Sequence, residues 1–156
     1  MKLPSILNHN NRGFTLIEVL IGIAILSALI GLGLFLSMDF YRTFTSQADK
    51  SMFISILQKA RTQSLSNINQ REHGVKLVGG NFILFQGPSY DGRDASFDEI
   101  FPANPAMAVV WPAPSEVVFG RLSGNVDASF LIGDIIITSH GRTATISFNT
   151  EGRIDY

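Results

Sequence analysis

Residues 12–38 read RGFTLIEVLIGIAILSALIGLGLFLSM. One acid, Glu18, stands near the start of a run that carries no charge over residues 19–38. As a helix rising about 1.5 Å per residue, the uncharged stretch spans roughly 30 Å, the thickness of a bilayer's hydrocarbon core. A secretory signal has an apolar core of only about 7–15 residues, followed by a small-x-small cut. This run is longer and no convincing cut of that kind follows it, so a membrane helix is expected. Lys2 and Arg12 precede the run, while Asp39 and Arg42 beyond it roughly cancel. The positive-inside rule therefore keeps the N-terminus cytoplasmic and places the C-terminal part outside, as a single-pass protein of the cytoplasmic membrane.

Outward from this stretch the texture changes on both sides. Upstream, residues 1–13 (MKLPSILNHNNRG) are short and polar and suit a leader peptide. Downstream, residues 39–68 contain neither Gly nor Pro, so nothing stops the helical pattern. Apolar or small residues recur there at Phe44, Ala48, Met52, Phe53, Ile56, Leu57, Ala60 and Ile68, largely at steps of three and four. One continuous helix is expected, apolar over 14–38 and amphipathic over 39–72, ending near Asn67, Asn69 and Gly74.

Residues 73–156 read as strands and turns. VKLVGGNFILFQGP predicts a hairpin turning at Gly79–Asn81 and closed by Gly87–Pro88. Residues 89–105 read as a turn-rich loop with one helical turn at Phe97–Phe101, and EVVFGRL at 116–122 as a further strand. DIIITSHGRTATISFNTEGRIDY predicts three short strands with turns at His140–Gly141 and Glu151–Gly152. Short sequential connections imply an antiparallel sheet. Roughly 80 residues bury too little apolar surface alone, so the amphipathic half of the helix supplies the second layer. The expected fold class is α+β, a long N-terminal helix packed on a C-terminal antiparallel sheet, with no repeat and no second domain. The chain has no cysteine, so that part holds together by core packing and without disulfides.

Gly13-Phe14-Thr15-Leu16-Ile17-Glu18, with Arg12 before it and an apolar helix after it, resembles the processing signature of type IV pilins and of the pseudopilins of type II secretion. LQKARTQSL at 57–65, HGVKL at 73–77 and ISFNTEGRIDY at 146–156 are similar to the GspH/FimT-type minor pseudopilins. The resemblance implies the pilin fold and cleavage between Gly13 and Phe14 by a membrane-embedded prepilin peptidase. It implies N-methylation of Phe14 and assembly into a filament whose core is a bundle of N-terminal helices. The implied partners are other pilin or pseudopilin subunits, the prepilin peptidase, the membrane assembly platform and membrane lipid. No cofactor and no enzymatic activity are implied.

The residues themselves give Glu18 a purpose. A carboxylate within a bilayer helix costs about 2.5–3.5 kcal/mol on insertion scales. A positive charge about 4 Å away returns roughly 4 kcal/mol at an effective dielectric near 20. The amine freed on a neighbouring subunit's Phe14 fits that requirement and sets the stagger between helices. The plainer reading is an acid favoured by the dipole at a helix N-terminus. Ala24, Ala28 and Gly31 fall at i, i+4 and i+7, a stripe of small residues for close helix packing, although small residues are common in any membrane helix.

Other sites are weaker. No G-x-S-x-G elbow and no P-loop occur, and Ser139-His140-Gly141 sits at an expected turn. His9, His73 and His140 do not share metal-ligand spacing, so no zinc site is expected. Asp91, Asp94, Asp98 and Glu99 lie close together and are candidate calcium ligands, though their spacing departs from an EF-hand and a polar loop is ordinarily solvated. Lys50, Lys59, Arg61 and Arg71 raise nucleic acid as a partner, but without clustered arginines or interleaved exposed aromatics a solvated helix face is preferred. The net charge of −1 points the same way. The rivals to a structural subunit are a DNA- or substrate-binding minor pilin acting through residues 89–115, and an anchored membrane protein that is never cut.

Overall fold

The computed structural model describes residues 13–112, 115–127 and 133–156. The expected leader, residues 1–13, therefore lies outside the described residues except for Gly13. One helix, α1 (Leu16–Leu65), runs without interruption for 50 residues. The chain divides into two units, one ending at Phe40 and one running from Tyr41 to Tyr156. α1 ends where sequence chemistry ends it. Asn67 takes the left-handed conformation (φ 52°, ψ 38°), and a single 3-10 turn at Ile68–Gln70 leads into the strands. Asparagine adopts that conformation more readily than most residues.

Among the described residues, the unit from Tyr41 holds eight strands in two antiparallel sheets. β1 (His73–Val78), β2 (Asn81–Gln86), β3 (Glu99–Pro102) and β5 (Glu116–Phe119) form the first, in the order β3-β2-β1-β5. β4 (Met107–Val110), β6 (Ile135–Ser139), β7 (Arg142–Phe148) and β8 (Ile154–Asp155) form the second, in the order β4-β6-β7-β8. Two hairpins use two-residue loops with both residues at positive φ, Gly79–Gly80 (57°, 76°) and His140–Gly141 (51°, 77°). That geometry matches the strands' right-handed twist. Asn81, expected in the first turn, is instead a strand residue opposite Val78. At Gly152 (φ 71°) the backbone passes so close to the Gly124 carbonyl that any Cβ there would collide with it.

The inner face of α1 and both sheets share one core. Phe53, Ile56, Leu57 and Ala60 of the helix meet Val75, Phe82, Leu84, Val117 and Phe119 of the first sheet and Ile135, Ile137 and Ile146 of the second. Phe53 sits at the centre, its ring 4.6 Å from that of Phe82 and 5.5 Å edge-on from that of Trp111. Burying each such side chain stabilises the fold by about 1.5–3 kcal/mol. The layout is the expected α+β one, a long helix packed on antiparallel β structure.

Three expectations are corrected. The segment read as a helical turn at Phe97–Phe101 is a 3-10 turn at Ala95–Phe97 followed by β3, because Phe101 pairs with Phe82 across the sheet. The single sheet is two, since β4 leaves the first sheet to pair with β6. Phe44 and Ala48 are exposed and so is Ile68, so the covered stripe of α1 is narrower than its apolar pattern.

Buried polar groups tie the helix to the sheets. Asp49 of α1 is buried and accepts hydrogen bonds from Ser139 Oγ at 2.5 Å and from Asn104 Nδ2 at 3.1 Å. Ser64 Oγ donates to the Phe119 carbonyl at 2.9 Å and accepts the His73 amide at 2.9 Å.

Candidate functional site

The N-terminal motif begins as extended chain. Gly13, Phe14 and Thr15 are non-helical and exposed, and α1 starts at Leu16. The start is fixed by a reciprocal pair of hydrogen bonds. Thr15 Oγ1 accepts the Glu18 amide at 3.3 Å, while Glu18 Oε2 accepts the Thr15 amide at 3.1 Å and its hydroxyl at 3.0 Å. This is a capping box, in which a threonine and the glutamate three residues on satisfy each other's orphan amides. The sequence carries the signal for it as T-L-I-E, with Thr15 three residues before the acid. Oε2 is thus occupied within the chain, while Oε1 has no hydrogen bond among the described residues.

Among the described residues, a Cβ added at Gly13 would meet nothing within 4 Å, and the same holds at Gly31 and Gly33. The Gly13–Phe14 peptide is accessible, with Phe14 86% exposed. Beyond the cap, every large apolar side chain of α1 from Leu16 to Met38 is exposed, and an 18-residue window averages a hydropathy of 2.7 with none of it buried. By length and composition this helix can cross a membrane. Ala24, Ala28 and Gly31 lie exposed along one stripe of it, so within its own unit nothing packs on them.

The other candidates come apart. The four acids proposed for calcium are engaged separately. Asp98 binds Arg93 Nε at 2.9 Å, Asp94 caps Ser96 through its amide at 3.1 Å, and Glu99 pairs with Lys59 and accepts Gln63 Nε2 at 3.2 Å. Asp91 joins none of them, and among the described residues no group of three or more His, Asp or Glu side chains is placed to share a metal ion. The partners leave their mark on acidity. The Lys59 ammonium, aided by Gln63, holds the Glu99 carboxyl below the usual carboxylate range, and Ser96 does the same for Asp94.

Three of the four cations of the basic strip are likewise engaged. Lys50 lies over the Tyr156 ring at 5.5 Å, Lys59 binds Glu99, and Arg61 donates to the carbonyls of Glu151 at 3.0 Å and Gly124 at 3.4 Å. Ser139 and His140 do not form a nucleophile–base pair. The Ser139 hydroxyl donates to Asp49, so its contact with His140 Nδ1 at 2.9 Å leaves the serine oxygen as hydrogen-bond acceptor and the imidazole N–H as donor. Residues 89–115, read as a loop, contribute strands β3 and β4.

No curated protein and no solved structure matches the chain. Residues 8–34 match the family model of the prokaryotic N-terminal methylation motif, which supports a precursor of the type IV pilin and pseudopilin kind.

Proposed function

We propose that the chain is a minor pilin or pseudopilin, cut between Gly13 and Phe14 by a prepilin peptidase, methylated on the new Phe14 amine and assembled as a structural subunit of a filament. The observation that carries this reading is the state of the matched motif. A glycine that the chain's own packing does not require precedes an exposed peptide outside the helix, and a fully uncovered apolar helix follows. An unwound, side-chain-free site suits a narrow protease cleft. The uncovered helix passes from lipid to a bundle of like helices, where Ala24, Ala28 and Gly31 admit close approach.

Glu18 is the assembly residue. Thr15 holds one carboxylate oxygen, and the other is available to the Phe14 amine of a neighbouring subunit. The attraction offsets the cost of carrying the acid into an apolar bundle. Before assembly the subunit sits in the cytoplasmic membrane with its N-terminus inside, and the unit from Tyr41 faces outward.

The test is Glu18→Ala in cells that express the full chain. The variant is expected to be trimmed normally, remain in the membrane fraction and fail to appear among sheared filaments. Normal trimming with undiminished incorporation would show that Glu18 has no assembly role.

A further inference from the structure

The interface between α1 and the first sheet changes character at one end. Leu84 and Gln86 lie on the helix-facing side of β2, with His73 of β1 opposite Gln86 and Glu99 of β3 opposite Leu84. Three polar side chains therefore share the face that is apolar elsewhere, and Gln63 of α1 also lines the cavity of about 180 Å³ they form. That volume accommodates an ion with several waters, each about 30 Å³.

The polar atoms there are unbalanced. His73 is buried to 3% exposure; the Arg71 carbonyl lies near its imidazole, but Nδ1 makes no hydrogen bond of good geometry. Gln63 donates Nε2 to Glu99, which fixes its amide orientation and leaves Oε1 buried without a partner. A buried acceptor without a donor is unfavourable, so such atoms call for a partner.

We propose that His73, Glu99 and Gln63 form a binding site for a divalent cation of the zinc class, with waters completing its coordination. An imidazole nitrogen, a carboxylate and an amide oxygen make a mixed nitrogen–oxygen set suited to such ions. The set holds one imidazole and one carboxylate, so it does not resemble a three-acid or three-histidine centre. Burial favours the neutral imidazole, the form that ligates. Lys59 already neutralises Glu99, so binding requires the ammonium to move aside, and the affinity is modest. This site does not depend on filament assembly.

The experiment uses the full chain in detergent with Zn²⁺ or Co²⁺ as the only additions. Zn²⁺ is expected to raise the thermal midpoint, and Co²⁺ to give visible absorption typical of nitrogen ligation. His73→Gln should abolish both effects and Glu99→Gln should weaken binding at least about tenfold, while His140→Gln and Asp91→Asn retain them. Imidazole ¹⁵N NMR of the unaltered chain covers the case in which His73→Gln misfolds, because the metal must then move the His73 Nδ1 resonance. An unmoved resonance, a shift that survives in folded His73→Gln, or no effect of Zn²⁺ at its highest soluble concentration would show a cavity that holds water only.

Discussion

Before and after Tyr41, α1 is the same helix solving two different problems. Up to Phe40 its large apolar side chains are exposed on every side. From Asp49 onward one face is buried against two sheets, and polar groups such as Asp49 and Ser64 are hydrogen-bonded to them. A helix apolar on every side asks for lipid or other helices, whereas a helix with one apolar stripe asks for a layer of its own chain. The contrast separates the uncovered half of the helix from the half that packs on its own chain.

The largest expected effect tests that separation directly. Leu57→Ala empties a fully buried site and should destabilise the unit from Tyr41 by about 2–5 kcal/mol in urea unfolding. Ile25→Ala, the same kind of truncation on the uncovered half, should leave that transition within about 0.5 kcal/mol. Equal losses would mean the two halves are not energetically distinct.

Next in size is the helix–sheet tie. Asp49→Ala strands the Ser139 hydroxyl and the Asn104 amide, and about 1–3 kcal/mol of unfolding free energy should be lost. An unchanged urea midpoint would show that the network is water-exchanged and contributes nothing.

Acid sharpens the comparison further. Burial lowers the His73 pKa below its ordinary value, so the unfolded chain binds the proton more readily than the folded one. That contribution is complete above about pH 6.5 and is lost as pH falls through that value toward the folded one. Glu99 and Asp94, whose pKa values are also depressed, contribute stability above about pH 4 that disappears on further acidification. Thermal midpoints should therefore fall in two steps on acidification, and a flat profile between pH 7 and 5 would remove the first. The smallest effect belongs to Thr15→Val. Breaking the capping box costs about 1 kcal/mol at the start of α1, so exchange of the Glu18 amide should quicken about fivefold while global unfolding is unmoved.

Much of this layout was readable in the residues. The absence of Gly and Pro between Gly33 and Gly74 carries the helix, and Gly79–Gly80 and His140–Gly141 fix two hairpins. What could not be read depends on distant partners. β3 and β4 are four residues each, with alternating half-burial, and Pro102 in β3 reads locally as a breaker although an edge strand tolerates it. The division into two sheets rests on β4 pairing with β6 across an intervening strand, which no local pattern encodes. At the candidate site, Glu18 is legible by its isolation in an apolar run, and that isolation masks the Thr15 three residues before it that shares its hydrogen bonds. His73 and Glu99 line one cavity only because β1, β2 and β3 lie side by side, so their spacing in sequence carries no sign of it.

The central claim is that this chain is a precursor whose first thirteen residues are removed to expose Phe14. Intact-mass measurement of the protein extracted from its native membrane tests it most directly. The account predicts a chain beginning at Phe14 and heavier by one methyl group on its amine. A chain that still carries its Met1 leader, in membranes where other pilin-type precursors are trimmed, would contradict it.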